Sequence, residues 1–293
     1  MGFQNAGFNI AAAFDNWKPA IDVYRQNFQH PIYEADLGAD EIKEEISALE
    51  PQLLIGGPPC QDFSSAGPNN FTKARASLVG SFVDLVQECL PRYFVMENVP
   101  RIRHAAIYLE SVERLRKLGY GISQSILDAS YCGVPQSRKR LFLVGQLGAK
   151  DHFLDEPLAA SLSLKPMTMR EYFGDSLGID HYFRIPTTYQ RKAVFSVDEP
   201  SVTIRGVDRP IPKTYKRHRD DLADVRDGVR GLTIEERSYV QTFPRTFEFS
   251  GTKTNLNQMI GNAVPVKLAE YVARTIMQLE ESSQLIEPEA VSA

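Results

Sequence analysis

The chain predicts an α/β fold: a doubly wound, mostly parallel sheet joined to a second, smaller, β-rich domain. Three observations carry that expectation. Short apolar runs alternate with longer amphipathic runs from Asn9 to Gly145, the pattern of successive βαβ units. The alternation stops near Gly174. Beyond it, residues 175–230 hold many prolines, basic side chains and short β-like runs without a helical period.

The elements follow in order. Asn9-Ile10-Ala11-Ala12-Ala13-Phe14 reads as a strand ending at Asp15, and a helix follows at about Ala20–Asn27. Leu53-Leu54-Ile55 is a short buried strand closed by Gly56-Gly57-Pro58-Pro59. Cys60 therefore sits at the mouth of a strand, on a loop stiffened by proline. The helix Ser77–Leu90 is apolar at Leu78, Val79, Phe82, Val83, Val86 and Leu90, which assigns Cys89 to the core. The strand Tyr93–Met96 delivers Glu97-Asn98-Val99-Pro100. A helix at Ala105–Leu118 and strands at Gly121–Asp128 and Arg140–Val144 close the series. In the second domain, Thr233-Ile234-Glu235-Glu236 is a capping box that opens a helix to Gln241. The last helix, Val264–Leu279, has apolar residues at Val266, Leu268, Tyr271, Val272, Ile276 and Leu279 and is expected to pack on the sheet. Residues 280–293 are polar and acidic and read as a frayed tail.

Composition narrows the function. At 293 residues, with 43% hydrophobic and 24% charged residues, the chain has material for one large or two modest domains. The formal net charge of −4 argues weakly against nucleic acid, so the distribution of charge decides. Between Arg184 and Arg219 there are nine Lys and Arg against three acids, a local excess of +6 with His218 in addition. That suits a surface facing phosphates, or an ordinary solvated loop. Cys60, Cys89 and Cys132 form no CxxC pair and no disulfide framework, which points to a reducing cytoplasm. The five histidines show no metal-ligand spacing. No apolar run approaches the ~18 residues of a membrane span, and the start has no signal-peptide pattern.

Three strand ends carry the chemistry. Cys60 follows one, Glu97 another, and Val134-Pro135-Gln136-Ser137-Arg138-Lys139-Arg140 runs into a third. Singly, these read as a packed thiol, a solvated cap and a basic edge. Together they form a thiol, an acid and paired guanidiniums at strand rims, where open α/β sheets place ligands. With strand geometry, Arg138 and Arg140 would share one face.

Pro59-Cys60-Gln61, Glu97-Asn98-Val99 and Gln136-x-Arg138-x-Arg140 match three ordered signature blocks of the DNA cytosine-5 methyltransferases. Gly231-Leu232-Thr233 through Pro244, and Gln258-Met259-Ile260-Gly261-Asn262-Ala263-Val264-Pro265, resemble the last two. The resemblance extends to about residue 280. It implies a Rossmann-like methyltransferase domain over residues 1–174, completed by 256–282. A target-recognition domain over 175–255 and a disordered tail over 283–293 complete the expected organisation.

The resemblance also assigns roles. Carbon 5 of cytosine is a poor nucleophile, and a thiolate added to carbon 6 makes it enamine-like. Cys60 is assigned that thiolate. Glu97 is assigned to protonate or hydrogen-bond ring nitrogen 3, a role that calls for a partly desolvated acid held protonated. Arg140, with Arg138 beside it, would hold the ring carbonyl and the adjacent phosphate. The target base must leave the duplex, at a cost of a few kcal/mol. The polar, basic loop Ser64–Ala76 is a candidate to close over it. Gln61, Ser64, Thr203, Arg205 and Arg209 are the expected DNA contacts, the two arginines as readers of guanine edges or phosphates. For S-adenosylmethionine, the methyl donor, Asp15 and Asn16 match the ribose and adenine positions. Asp36 and Leu37 match the next block. Pro59, Leu78, Asn262 and Val264 match positions lining the same pocket.

One block has no counterpart. The family's first strand and its Phe-x-Gly-x-Gly-Gly loop are absent, and Gly2–Phe8 resembles the end of the first helix and its exit turn. That strand is central in the expected sheet, so its absence leaves strand edges with unpaired backbone groups. Three explanations stand: a start placed too far downstream or a fragment; a split enzyme completed by an N-terminal polypeptide; or a catalytically silent copy. Rival functions are a non-catalytic DNA-binding subunit and a tRNA cytosine-5 methyltransferase, whose Cys-Phe-Thr signature is not found here. The expected setting is a bacterial restriction-modification system with double-stranded DNA as partner and, as a further partner, a cognate endonuclease.

Overall fold

The elements run α1 (Gly2–Asn5), β1 (Ala13–Asp15), α2 (Lys18–Asn27), β2 (Ile32–Glu34), α3 (Asp40–Ser47), β3 (Leu53–Gly56), α4 (Lys73–Cys89), β4 (Tyr93–Asn98), α5 (Ala106–Lys117), β5 (Tyr120–Asp128), β6 (Gln136–Ser137) and β7 (Lys139–Leu147). They continue with α6 (Asp155–Ala160), α7 (Met169–Phe173), β8 (His181–Phe183), β9 (Val194–Ser196), β10 (Ser201–Val202), β11 (Arg230–Gly231), α8 (Ile234–Val240), α9 (Lys253–Asn262) and α10 (Val266–Gln284). The structure is a computed structural model that describes residues 1–59, 73–188 and 191–284, without the side chains of 73–77, 283 and 284. Two compact units emerge: Gly7–Leu127 with Lys139–Leu162 and the chain from Arg274, and Met1–Ala6 with Asp128–Arg138 and Ser163–Ala273.

The first unit holds a four-stranded sheet in the order β3-β4-β7-β5. β3 runs parallel to β4, with Leu53 opposite Tyr93, and β7 runs antiparallel to β4, with Val144 opposite Val95. Phe94, Val95 and Met96 are almost fully buried, as a strand covered on both faces requires. On α4, Val79, Phe82, Val83 and Val86 recur at helical spacing and pack in one core with Tyr108, Val112 and Leu115 of α5 and with Phe94 and Met96. Each such buried side chain contributes about 2 kcal/mol.

β1 and β2 form a separate parallel pair, with Ala13 opposite Ile32. Among the described residues, β1 pairs only with β2 and β3 only with β4, so the parallel strands of this unit lie in two pieces. Ile55 on β3 is 48% exposed. The strand expected over Asn9–Phe14 is confined to Ala13–Asp15, because its ladder extends for three residues on one side only.

In the second unit, β8 pairs with β11 in parallel and with β9 antiparallel. β10 pairs with β6 in parallel. The capping box at Thr233 is formed: Thr233 Oγ1 accepts from Glu236 N at 3.1 Å, and Thr233 N donates to Glu236 at 2.7 Å. Residues 128–138 and α9 fall in this unit, which divides the chain differently from boundaries at 174 and 255. The backbone explains why: Ser201 N–H donates to Pro135 O, and Arg170 N–H to Val197 O, each at 2.8 Å.

Candidate active site

The first unit assembles an acid, a guanidinium and the chain leading to the thiol. Glu97 is the fifth residue of β4, opposite Phe142 of β7. Arg140 lies two residues before Phe142, so the period of two puts its side chain on the face of Glu97. Arg140 Nε is 2.8 Å from Glu97 Oε1, and the side chains are 15% and 16% exposed. Burial lowers the Arg140 guanidinium from its ordinary value, and the carboxylate of Glu97 opposes that without cancelling it. The contact is a charge-assisted pair, in which Glu97 acts as acceptor. Arg140 also donates to Lys139 O at 2.8 Å.

The same strand end fixes the residues ahead of Cys60. Asn98, buried, donates from Nδ2 to Pro58 O at 3.0 Å and accepts Val99 N–H at 2.9 Å. Gly57 lies so close that a Cβ there would stand 3.3 Å from Glu97 Oε2. Glycine at 57 therefore leaves the carboxylate room. Cys60, Gln61, Ser64 and residues 64–72 of the candidate closing loop lie outside the described residues, as do the side chains of 73–76.

Arg138 departs from the expectation that it shares a strand face with Arg140. β7 begins one residue later, at Lys139. The Arg138 backbone N–H donates to Asp128 Oδ1, and its carbonyl accepts from Ala129 N–H. Its guanidinium, 2% exposed, donates to Ile204 O and Gly261 O in the second unit, at 3.0 Å each. Asp128, at the end of β5, organises this turn by accepting also from Ser130 N–H and from the Ser130 and Ser137 hydroxyls. An Asp two residues before a Ser at a strand end was the available signal. Cys132 is buried beside Asp128 O, and burial pushes its thiol up to about 12.

The candidate cofactor residues of the first unit lie after parallel strands. Asp15 ends β1 and accepts Trp17 N–H at 2.8 Å, and Ala35 N–H bonds its carbonyl. Asp36 follows β2 and accepts Gly38 N–H at 2.9 Å. Asn16, Asp36 and Pro59 are exposed, and Leu37 and Leu78 half-buried. In the second unit, Asn262 is the last residue of α9, and Val264 precedes α10. Thr203 donates its hydroxyl to Ser137 O at 2.9 Å. Arg205 donates to Ile185 O and Thr187 Oγ1 at 2.7 and 3.0 Å, while Arg209 is exposed. Two of the Arg205 nitrogens are thus engaged within the fold.

Comparison with known proteins places the whole chain in one group. The chain is 52% identical over 283 residues to the type II methyltransferase M.HindV of Haemophilus influenzae, covering 96% of this chain and 93% of that protein. It is 50% identical over 277 residues to M.HgiDI of Herpetosiphon aurantiacus, covering 94% and 89%. Among solved structures, S. pombe Dnmt2 methyltransferase superposes with a TM-score of 0.69 at 18% identity, over 95% of this chain and 94% of that one. A putative DNA modification methyltransferase encoded within an E. coli prophage gives 0.68 at 21%, over 96% and 95%. These two likenesses establish the fold. The family model for C-5 cytosine-specific DNA methylase matches residues 1–278, and the chain belongs to that family.

Proposed function

We propose that this chain methylates carbon 5 of a cytosine flipped out of a specific duplex DNA sequence, through a transient bond from Cys60, as the modification enzyme of a type II restriction-modification system. The observation that carries the reading is the Glu97–Arg140 pair, with Gly57 and Pro58 held against the same strand end. A thiolate adding to carbon 6 drives electrons toward ring nitrogen 3 and the ring carbonyl. Glu97 and Arg140 are an acceptor-or-acid and a permanent cation at one spot, suited to those two atoms. The Asn98–Pro58 bond holds the approach to Cys60, and small misplacements of a nucleophile are costly in rate. With a methyl donor bound, carbon 5 would take up the methyl group, the carbon 5 proton would then leave, and the Cys60 sulfur would be eliminated as the ring double bond re-forms.

Bound S-adenosylmethionine would supply an electrophilic methyl group on a sulfonium. The residues present fit its nucleoside part. Asp15 and Asp36 follow two adjacent parallel strands, and carboxylates there suit ribose hydroxyls and an adenine amino group. Leu37 and Leu78 would offer apolar contact.

The reading is tested by bisulfite sequencing of DNA from cells expressing the gene from its natural locus. Cytosine protection at one short sequence, lost with Cys60→Ser, is the expected result. Protection that survives Cys60→Ser, or none above background, would reject it.

A further inference from the structure

In the second unit, three successive carbonyls each receive a different arginine. Thr203 O accepts from Arg184 at 3.3 Å, Ile204 O from Arg138 at 3.0 Å, and Arg205 O from Arg237. The three arginines come from separate places: the turn before β7, the residue after β8, and α8. Gln136 closes the remaining side by accepting Ile204 N–H at 2.9 Å. Gly261 backs the segment so closely that a Cβ there would lie 2.1 Å from Gly206 N. A segment bonded at three consecutive carbonyls, and pressed from behind by backbone, has one shape.

The charge is as unusual as the bonding. Among Arg184, Arg205 and Arg237, only Arg237 has an ion pair within the described residues, with Asp208 at 3.1 Å. Burial, then the charge of Arg205 and Arg237, brings the Arg184 guanidinium down to about 10. Collecting poorly compensated guanidiniums around one turn costs stability. That cost suits a surface that meets a polyanion. Immediately beyond the clamped segment, Val207 is 61% exposed and Arg209 is exposed.

We propose that Arg138, Arg184 and Arg237 are positioning residues for DNA recognition, fixing Thr203–Arg205 so that Val207 and Arg209 reach the base edges in one preset geometry. Val207 offers an apolar surface of the kind that reads a thymine methyl group, and Arg209 a fork for guanine. Arg205, bonded to Ile185 and Thr187, acts as a brace. Preorganisation of this kind improves discrimination by removing the ordering cost at contact. The inference rests on the DNA reading above.

The test uses the full chain, with Arg184→Gln as the mild variant because Arg184 is the least tightly bonded clamp. Hydrogen exchange of residues 203–209 is measured in the free protein. Binding is measured to the duplex methylated in cells and to the same duplex with one base changed. Arg184→Gln should speed exchange and lower the ratio of the two affinities about tenfold, with Arg184→Lys restoring both. Val207→Ala and Arg209→Ala should lower the ratio without altering exchange. Unchanged exchange in Arg184→Gln removes the clamp. Faster exchange with an unchanged ratio, or full discrimination by Val207→Ala and Arg209→Ala, removes its role in recognition. Wild-type protein that ignores the base change would instead sink the proposed function.

Discussion

Arg140 Nε meets Glu97 Oε1 at 2.8 Å, with both side chains about five-sixths shielded from water. Breaking a shielded pair by neutralising one partner leaves the other charge uncompensated. Glu97→Gln should therefore cost about 3 kcal/mol of stability and lower methyl transfer by about a hundredfold or more, measurable by thermal melts and single-turnover kinetics. A variant with normal turnover would remove Glu97 from the chemistry.

Asn98 tests the coupling between acid and thiol. Asn98→Ala leaves Pro58 O without its side-chain donor, at about 1–2 kcal/mol. The expected kinetic result is a fall in turnover with little change in DNA affinity, since the residue is buried and its side chain is spent on Pro58 O. Equal loss of both would point to general unfolding.

Asp221 contributes to the acid stability of the second unit. Burial works to raise its carboxyl, but the Tyr215 hydroxyl and the N–H groups of Ala193, His218 and Val194 outweigh that and hold it below the usual carboxylate value. A depressed acid stabilises the fold above its unfolded value of about 3.9. That contribution is lost as pH falls through the lowered folded value. Asp221→Asn should flatten the pH dependence of unfolding below about pH 4, read by urea melts across pH. An unchanged slope would show that other acids set it.

The open edges of β1 and β3 bear on the cofactor. Asp15 and Asp36 supply the nucleoside contacts, but no described strand joins the two sheet pieces. Calorimetry of residues 1–293 with S-adenosylmethionine should show weak binding. Tight one-to-one binding would overturn this.

Much of the architecture was legible because burial and period coincide. The strand ends at Glu97 and ahead of Cys60, the helix ending at Cys89 and the Thr233 capping box all follow from local pattern, but Cys89 is half-buried rather than in the core, and Leu90, expected on the apolar face, lies past the helix end and is 50% exposed. β2 and α3 were harder, since Ile32–Glu34 is three residues long with a single buried position. Arg138 could not be placed from sequence. Its spacing from Arg140 suggests a common face, yet a carboxylate ten residues upstream holds its backbone out of the strand. Arg205 looked like a free reader for the same reason: its partners, Ile185 and Thr187, are eighteen to twenty residues away.

Isotope exchange at carbon 5 isolates the thiol chemistry from the cofactor. If the Cys60 sulfur adds to carbon 6 of a flipped cytosine, carbon 5 takes a deuteron from heavy water, loses its proton, and the sulfur leaves. Mass spectrometry of the duplex after incubation with residues 1–293 should find deuterium at cytosine carbon 5. Cys60→Ser should abolish the label, and Glu97→Gln should slow its uptake. Labelling by Cys60→Ser at the wild-type rate would contradict the covalent route.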